Sequence, residues 1–116
     1  MKRISSTFLN YIWTEHSKEK MAYYRLSEQR VRRIIRNPSR KEEGVAPNTI
    51  AVMQPITKAG KTTQELWAMY QDRGNDRIVI TAWRYPGKSP VRGEIPIPEE
   101  IQEHLAGVTF FDASHF

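Results

Sequence analysis

The chain contains no cysteine. Disulfide frameworks, thiolate metal sites and cysteine nucleophiles are therefore excluded. It has no apolar run near the ~18 residues a membrane span requires. The N-terminal stretch MKRISSTFLNYIW starts with a basic pair. It has neither an uninterrupted apolar core nor a small-residue cleavage site, so it reads as mature sequence and the expected compartment is the cytoplasm. No HExxH, no EF-hand loop and no paired-carboxylate cluster occurs, so no cofactor and no dedicated metal site is expected. Gly60-Lys61-Thr62-Thr63 ends like a phosphate-binding loop, but the upstream glycine is missing and Pro55 stands in its place. A hairpin turn is the better reading. Histidines are few: His16, His104 and His115.

What is present is a basic, moderately hydrophobic chain of 116 residues, 39% hydrophobic and 27% charged, the size and balance of one globular domain over 1–116. Lys and Arg outnumber Asp and Glu by 18 to 13. The excess is concentrated. Arg30, Arg32, Arg33, Arg36, Arg40 and Lys41 follow one another with no acid between them. A patch of that kind is the electrostatic footprint of a phosphate-binding surface, although a solvated helix face followed by a basic loop has the same composition. Nucleic acid, RNA above all, is the expected partner.

Periodicity orders the elements. After a short extended piece around Phe8–Trp13, Thr14 is a helix N-cap and Glu15 favours the helix dipole, which predicts a helix to about Arg25 with Ser17, Met21 and Tyr24 on one face. Ser27 caps a second helix over 28–36. Val31, Ile34 and Ile35 fall on one side of it and Arg32, Arg33 and Arg36 on the other, until Asn37-Pro38 stops it. Residues 38–48 carry two prolines and a glycine and read as a loop. The period then changes to two. Thr49–Gln54, Gln64–Gln71 and Arg77–Arg84 are strand candidates separated by turn chemistry. A proline-rich connector leads to a last helix from Pro98 to about Leu105, within a tail of 87–116. The expected architecture is α+β: two N-terminal helices packed on a three-stranded antiparallel sheet, with a C-terminal helix.

For chemistry, His16 lies one helical step from Lys20, so both side chains emerge on one face. An imidazole that titrates near neutrality, beside a fixed cation, is what metal-independent RNA cleavage can use. The same pair is also an ordinary surface feature. Arg84 ends a β-run, where its guanidinium could grip a phosphate or cap the sheet edge. Trp67 and Trp83 fall on the same alternation and serve either as a stacking platform for unpaired bases or as core. Glu65 is the acidic candidate on the sheet, as a base or paired with a cation.

The stretch HSKEKMAYYRLSEQRVRRIIRNPSR resembles the opening of small bacterial domains with a His-small-x-x-Arg/Lys-Met motif, similar to the BrnT toxins and more distantly to RelE-type ribonucleases. In those chains an arginine-bearing segment ends the last strand; here RIVITAWRYPG puts Thr81, Ala82 and Arg84 at that place. Ser17 replaces the commoner alanine and Lys20 the commoner arginine. The resemblance covers about 12–86. It implies a metal-independent endoribonuclease with His16, Lys20 and Arg84 as catalytic candidates and a protein antitoxin as partner; Glu65, read from its place on the strand and not from the resemblance, is the further catalytic candidate. Arg32, Arg33, Arg36, Arg40 and Lys41 are the backbone-binding candidates. A non-catalytic nucleic-acid-binding module or a basic protein-interaction domain are the alternatives.

Overall fold

Two side-chain caps organise the helical half of the molecule, which is described from a computed structural model over residues 9–91 and 93–106. Thr14 is extended, and its Oγ1 accepts from the Ser17 N–H at 3.0 Å while Ser17 Oγ donates back to the Thr14 carbonyl at 2.7 Å. These contacts satisfy groups that a helix start leaves without partners, and they open helix α1 (Glu15–Tyr24). Arg25 ends α1 in the left-handed conformation, with its N–H on Ala22 O and the Leu26 N–H on Met21 O. Ser27 caps helix α2 (Glu28–Arg36) in the same way through the Arg30 N–H.

Five strands make one sheet: β1 (Asn10–Trp13), β2 (Arg40–Glu43), β3 (Ile50–Lys58), β4 (Lys61–Arg73) and β5 (Asp76–Pro86), in the order β1-β5-β4-β3-β2. Helix α3 (Glu99–Ala106) follows. The molecule is α+β, but the expected three-stranded antiparallel sheet is incorrect: the sheet is five-stranded and mixed, because β1 runs parallel to β5. Both strands beyond the expected three are edges. β1 lies within the extended piece expected around Phe8–Trp13, but its four residues are too short to show a period that would place it in the sheet, and their partners Asp76–Val79 are remote in sequence. β2, read as loop, is Arg-Lys-Glu-Glu, without a single β-branched or aromatic residue. Tertiary pairing with Ile50–Met53 overrides that poor propensity, and its charges suit an edge that must not recruit further strands.

The β3–β4 hairpin turns through Ala59 and Gly60, both at positive φ as a two-residue hairpin loop demands. Between β4 and β5 the register shifts at Met69/Tyr70, which pair with Thr81 and Val79 and leave Ile80 unpaired. This bulge breaks the simple alternation expected for β5. Ile78, Ile80 and Trp83 enter one hydrophobic cluster, with Trp67, Ile101 and Leu105; Val79 and Ala82 enter the other, with Met21, Val31, Ile34 and Ile35. The sheet is thus covered on one face by α2 and part of α1 and on the other by α3. β1 ends opposite Val79, and from there α1 follows β5: Thr14 Oγ1 reaches Val79 O and Ile80 O, His16 reaches Thr81, and Arg84 reaches the helix end. Helix α1 therefore shields the half of β5 that β1 leaves open.

Candidate functional site

His16, Lys20 and Tyr24 recur every four residues and share the face of α1 that meets α3. On α3, Glu100 and His104 have the same spacing. The two faces interlock. The His16 and His104 rings stack with centroids 3.7 Å apart and planes 5° apart. One carboxylate oxygen of Glu100, Oε2, meets both Lys20 Nζ at 3.4 Å and the Tyr24 hydroxyl at 3.3 Å. Below them, His16 Nε2 lies 3.0 Å from the hydroxyl of Thr81, which is fully buried on β5. That contact fixes the ring and leaves Nδ1 as the nitrogen without a hydrogen bond among the described residues.

The electrostatics follow from this crowding. Burial, then the neighbouring His104 and Lys20, lower the His16 pKa to about 4 against a smaller opposing pull from Glu100. At neutral pH the imidazole is therefore uncharged and a proton acceptor. Burial, then the Glu100 carboxylate, pushes the Tyr24 phenol up to about 12, so it keeps its proton. For Glu100, burial works against ionisation, yet its own backbone N–H, Lys20 and Tyr24 together hold the carboxyl below its usual range.

The other candidates lie elsewhere. Arg84 donates from Nε to Tyr24 O at 2.6 Å, from Nη1 to Gln64 Oε1 at 3.1 Å and from Nη2 to Arg25 O at 3.3 Å. It closes the C-terminal end of α1, roughly 12 Å along the helix axis from the turn that carries His16. Glu65, 2% exposed, accepts from Trp67 Nε1 at 3.0 Å, from the Ser89 N–H at 3.0 Å and from Ser89 Oγ at 2.7 Å. It straps the connector after β5 onto the sheet. Trp67 and Trp83 are 0% exposed and stacked on each other 5.7 Å apart, so neither ring offers a face to a base. Arg40 points inward over Trp67 and donates to Glu42, Ser89 Oγ, Pro90 O and Gly93 O, committing its guanidinium to the same connector.

Of the cationic helix face, Arg32 lies 4.3 Å over the Tyr11 ring. Arg33, Arg36 and Lys41 are exposed and enter no ion pair among the described residues. His115 and Phe8 fall outside the described residues. Two surface hollows, of about 710 and 850 Å³, flank the turn 44–48. Neither is lined by His16 or Lys20, and Glu43 lines both, with Glu42 and Glu94 in one and Asp72 and Arg73 in the other, so acids outnumber cations in each, a poor lining for a polyanion. Among the described residues no group of three or more His, Asp or Glu could hold a metal ion, and no helix is long and apolar enough to cross a membrane.

The sequence pointed to the His16–Lys20 pair but not to Thr81, Glu100 and His104 as its neighbours. The matching four-residue spacings on α1 and α3 were a signal, but which helix faces which is decided by how each packs on the sheet. No family model, no curated protein and no solved structure matches the chain.

Proposed function

We propose that the protein is a metal-independent endoribonuclease, acting on cytoplasmic RNA, whose reacting groups lie where α1, α3 and the middle of β5 meet. The observation that carries this reading is the uncharged, half-buried His16 imidazole, held by Thr81 one helical turn from Lys20 and two from a protonated Tyr24. In the reaction His16 Nδ1 takes the proton of a ribose 2′-hydroxyl, and the 2′-oxygen bonds to phosphorus as the bond to the 5′-oxygen breaks. The leaving oxygen takes its proton from water, and the imidazolium then gives up the proton it gained to water, so that the protons balance and His16 is restored. Lys20 offsets the charge that grows on the phosphoryl oxygens. The products are a 2′,3′-cyclic phosphate and a 5′-hydroxyl. Arg33, Arg36 and Lys41, uncommitted within the described residues, supply salt-sensitive contacts to the RNA backbone. A protein antitoxin over this basic surface is implied by the BrnT-like resemblance alone.

One observation favours a non-catalytic RNA-binding module instead. A base with pKa near 4 is far from the neutral range in which proton transfer is most efficient. End-group analysis of RNA incubated with the protein and a chelator decides between the two. Cyclic phosphate and 5′-hydroxyl ends are expected; RNA that stays intact in the absence of any inhibitory partner means a binding module.

A further inference from the structure

The contact between Glu100 and the His16–Lys20–Tyr24 face has the form of an occupied anion site. A single carboxylate oxygen receives both the ammonium of Lys20 and the hydroxyl of Tyr24, at 3.4 and 3.3 Å, the long end of hydrogen-bond range. The Lys20 side chain is only 18% exposed, whereas that of Glu100 is 48% exposed. The cation is built in and its anion is peripheral. Helix α3 itself is fixed independently of Glu100, because Ile101 and Leu105 are buried against the Trp67–Trp83 face. Glu100 can therefore rotate away from Lys20 while the helix stays in place.

We propose that Lys20 and Tyr24 form a phosphate-ester site which the Glu100 carboxylate fills in the free protein, so that a phosphodiester must displace Glu100 to reach His16. The site stands on the geometry of Lys20, Tyr24 and Glu100; only its use in cleavage rests on the nuclease reading above. A phosphoryl oxygen satisfies the same two donors as the carboxylate oxygen, and a second phosphoryl oxygen remains free to face His16. The acidic face of α3, with Glu99, Glu100 and Glu103, would then disfavour casual anions and admit a polyanion that brings further contacts to the basic helix α2.

The test is titration of the full chain with inorganic phosphate, followed through backbone amide resonances by NMR, for the wild type, Glu100→Gln and Lys20→Gln. Phosphate should shift the resonances of residues 16, 20, 24 and 100 in the wild type. Removing the competing carboxylate should tighten binding about two- to fivefold, the range an exposed ion pair is worth. Lys20→Gln should abolish the response. Binding that is no tighter in Glu100→Gln, or shifts that map away from this face, overturns the proposal. Cleavage assays on the same samples separate it from the nuclease reading. Tighter phosphate binding without RNA cleavage keeps the site and discards the nuclease. Cleavage by the wild type with no gain in binding or rate in Glu100→Gln discards the site and keeps the nuclease. Glu100→Gln is conservative at an exposed position, and its thermal midpoint should match the wild type.

Discussion

Replacing Glu65 by alanine should cost stability on a scale that a surface carboxylate cannot reach. Glu65 is 2% exposed and accepts three hydrogen bonds, from Trp67 Nε1, the Ser89 N–H and Ser89 Oγ. The Arg40 guanidinium donates to Ser89 Oγ and offers its hydroxyl proton no acceptor, so the truncation orphans two buried N–H groups and frees one O–H that must rotate to a new partner. Each orphan costs about 1–3 kcal/mol, and the vacated methylene adds to the loss, which places Glu65→Ala at roughly 3–5 kcal/mol. Glu65→Gln keeps one carbonyl acceptor and turns an amide N–H₂ toward a donor, for a cost of roughly 1–2 kcal/mol. Ser89→Ala should cost about 1 kcal/mol, and the double variant with Glu65→Gln less than the sum, because the two residues share a bond. Equilibrium unfolding in urea, followed by tryptophan fluorescence and far-UV circular dichroism, reads all four variants. A loss below about 1 kcal/mol for Glu65→Ala would refute the strap, since it would mean the two N–H groups find other partners. Abolished RNA cleavage by a fully folded Glu65→Gln would return the residue to the role of base.

Two further outcomes are expected. The affinity for single-stranded RNA should fall with salt at roughly 0.7 log units per tenfold change for each phosphate neutralised, and Arg33→Gln with Arg36→Gln should flatten that slope by about 1.4; an unchanged slope places the RNA elsewhere. Because the folded His16 pKa lies near 4, below the ordinary value of 6.5, the unfolded chain binds the extra proton between those limits. Stability should therefore be full above about pH 6.5 and fall as pH drops toward 4; solvent screening at this half-exposed ring holds the loss to about 1–2 kcal/mol. Urea midpoints at pH 7 and pH 5 for wild type and His16→Gln check it, the variant losing this dependence; equal slopes would mean that His16 titrates normally.

The helices were legible because their signals are local. Thr14 and Ser27 cap within three residues, and Asn37-Pro38 stops α2 where the structure stops it. The central strands were legible in their buried middles and not at their hairpin ends, where exposed Thr57, Lys58 and Lys61 lack alternation although the ladder continues. β2 was illegible because the pairing comes from β3 and not from its own four charged residues. The bulge at Ile80 reverses the face of every residue after it, and no single residue announces it. At the site, the His16–Lys20 spacing could be read from the chain, whereas the rest could not. Arg84 was read as ending its strand, but β5 continues to Pro86, and the carbonyls it meets on α1 are exposed to it only once that helix has folded beside β5. Glu100 reaches Lys20, and His104 reaches His16, from the far end of the described chain.

The central claim is that His16 moves the proton, and its most direct test is the single-turnover cleavage rate of a single-stranded RNA by wild type and His16→Gln at matched RNA occupancy. Glutamine is the informative replacement, because its terminal amide can keep the bond to the buried Thr81 hydroxyl that alanine would orphan. General acid–base catalysis by one side chain is worth about 10²–10⁴-fold, so the rate should fall by about two orders of magnitude or more while RNA affinity and the urea midpoint at neutral pH stay near the wild type. Cleavage by His16→Gln at the wild-type rate would contradict the account.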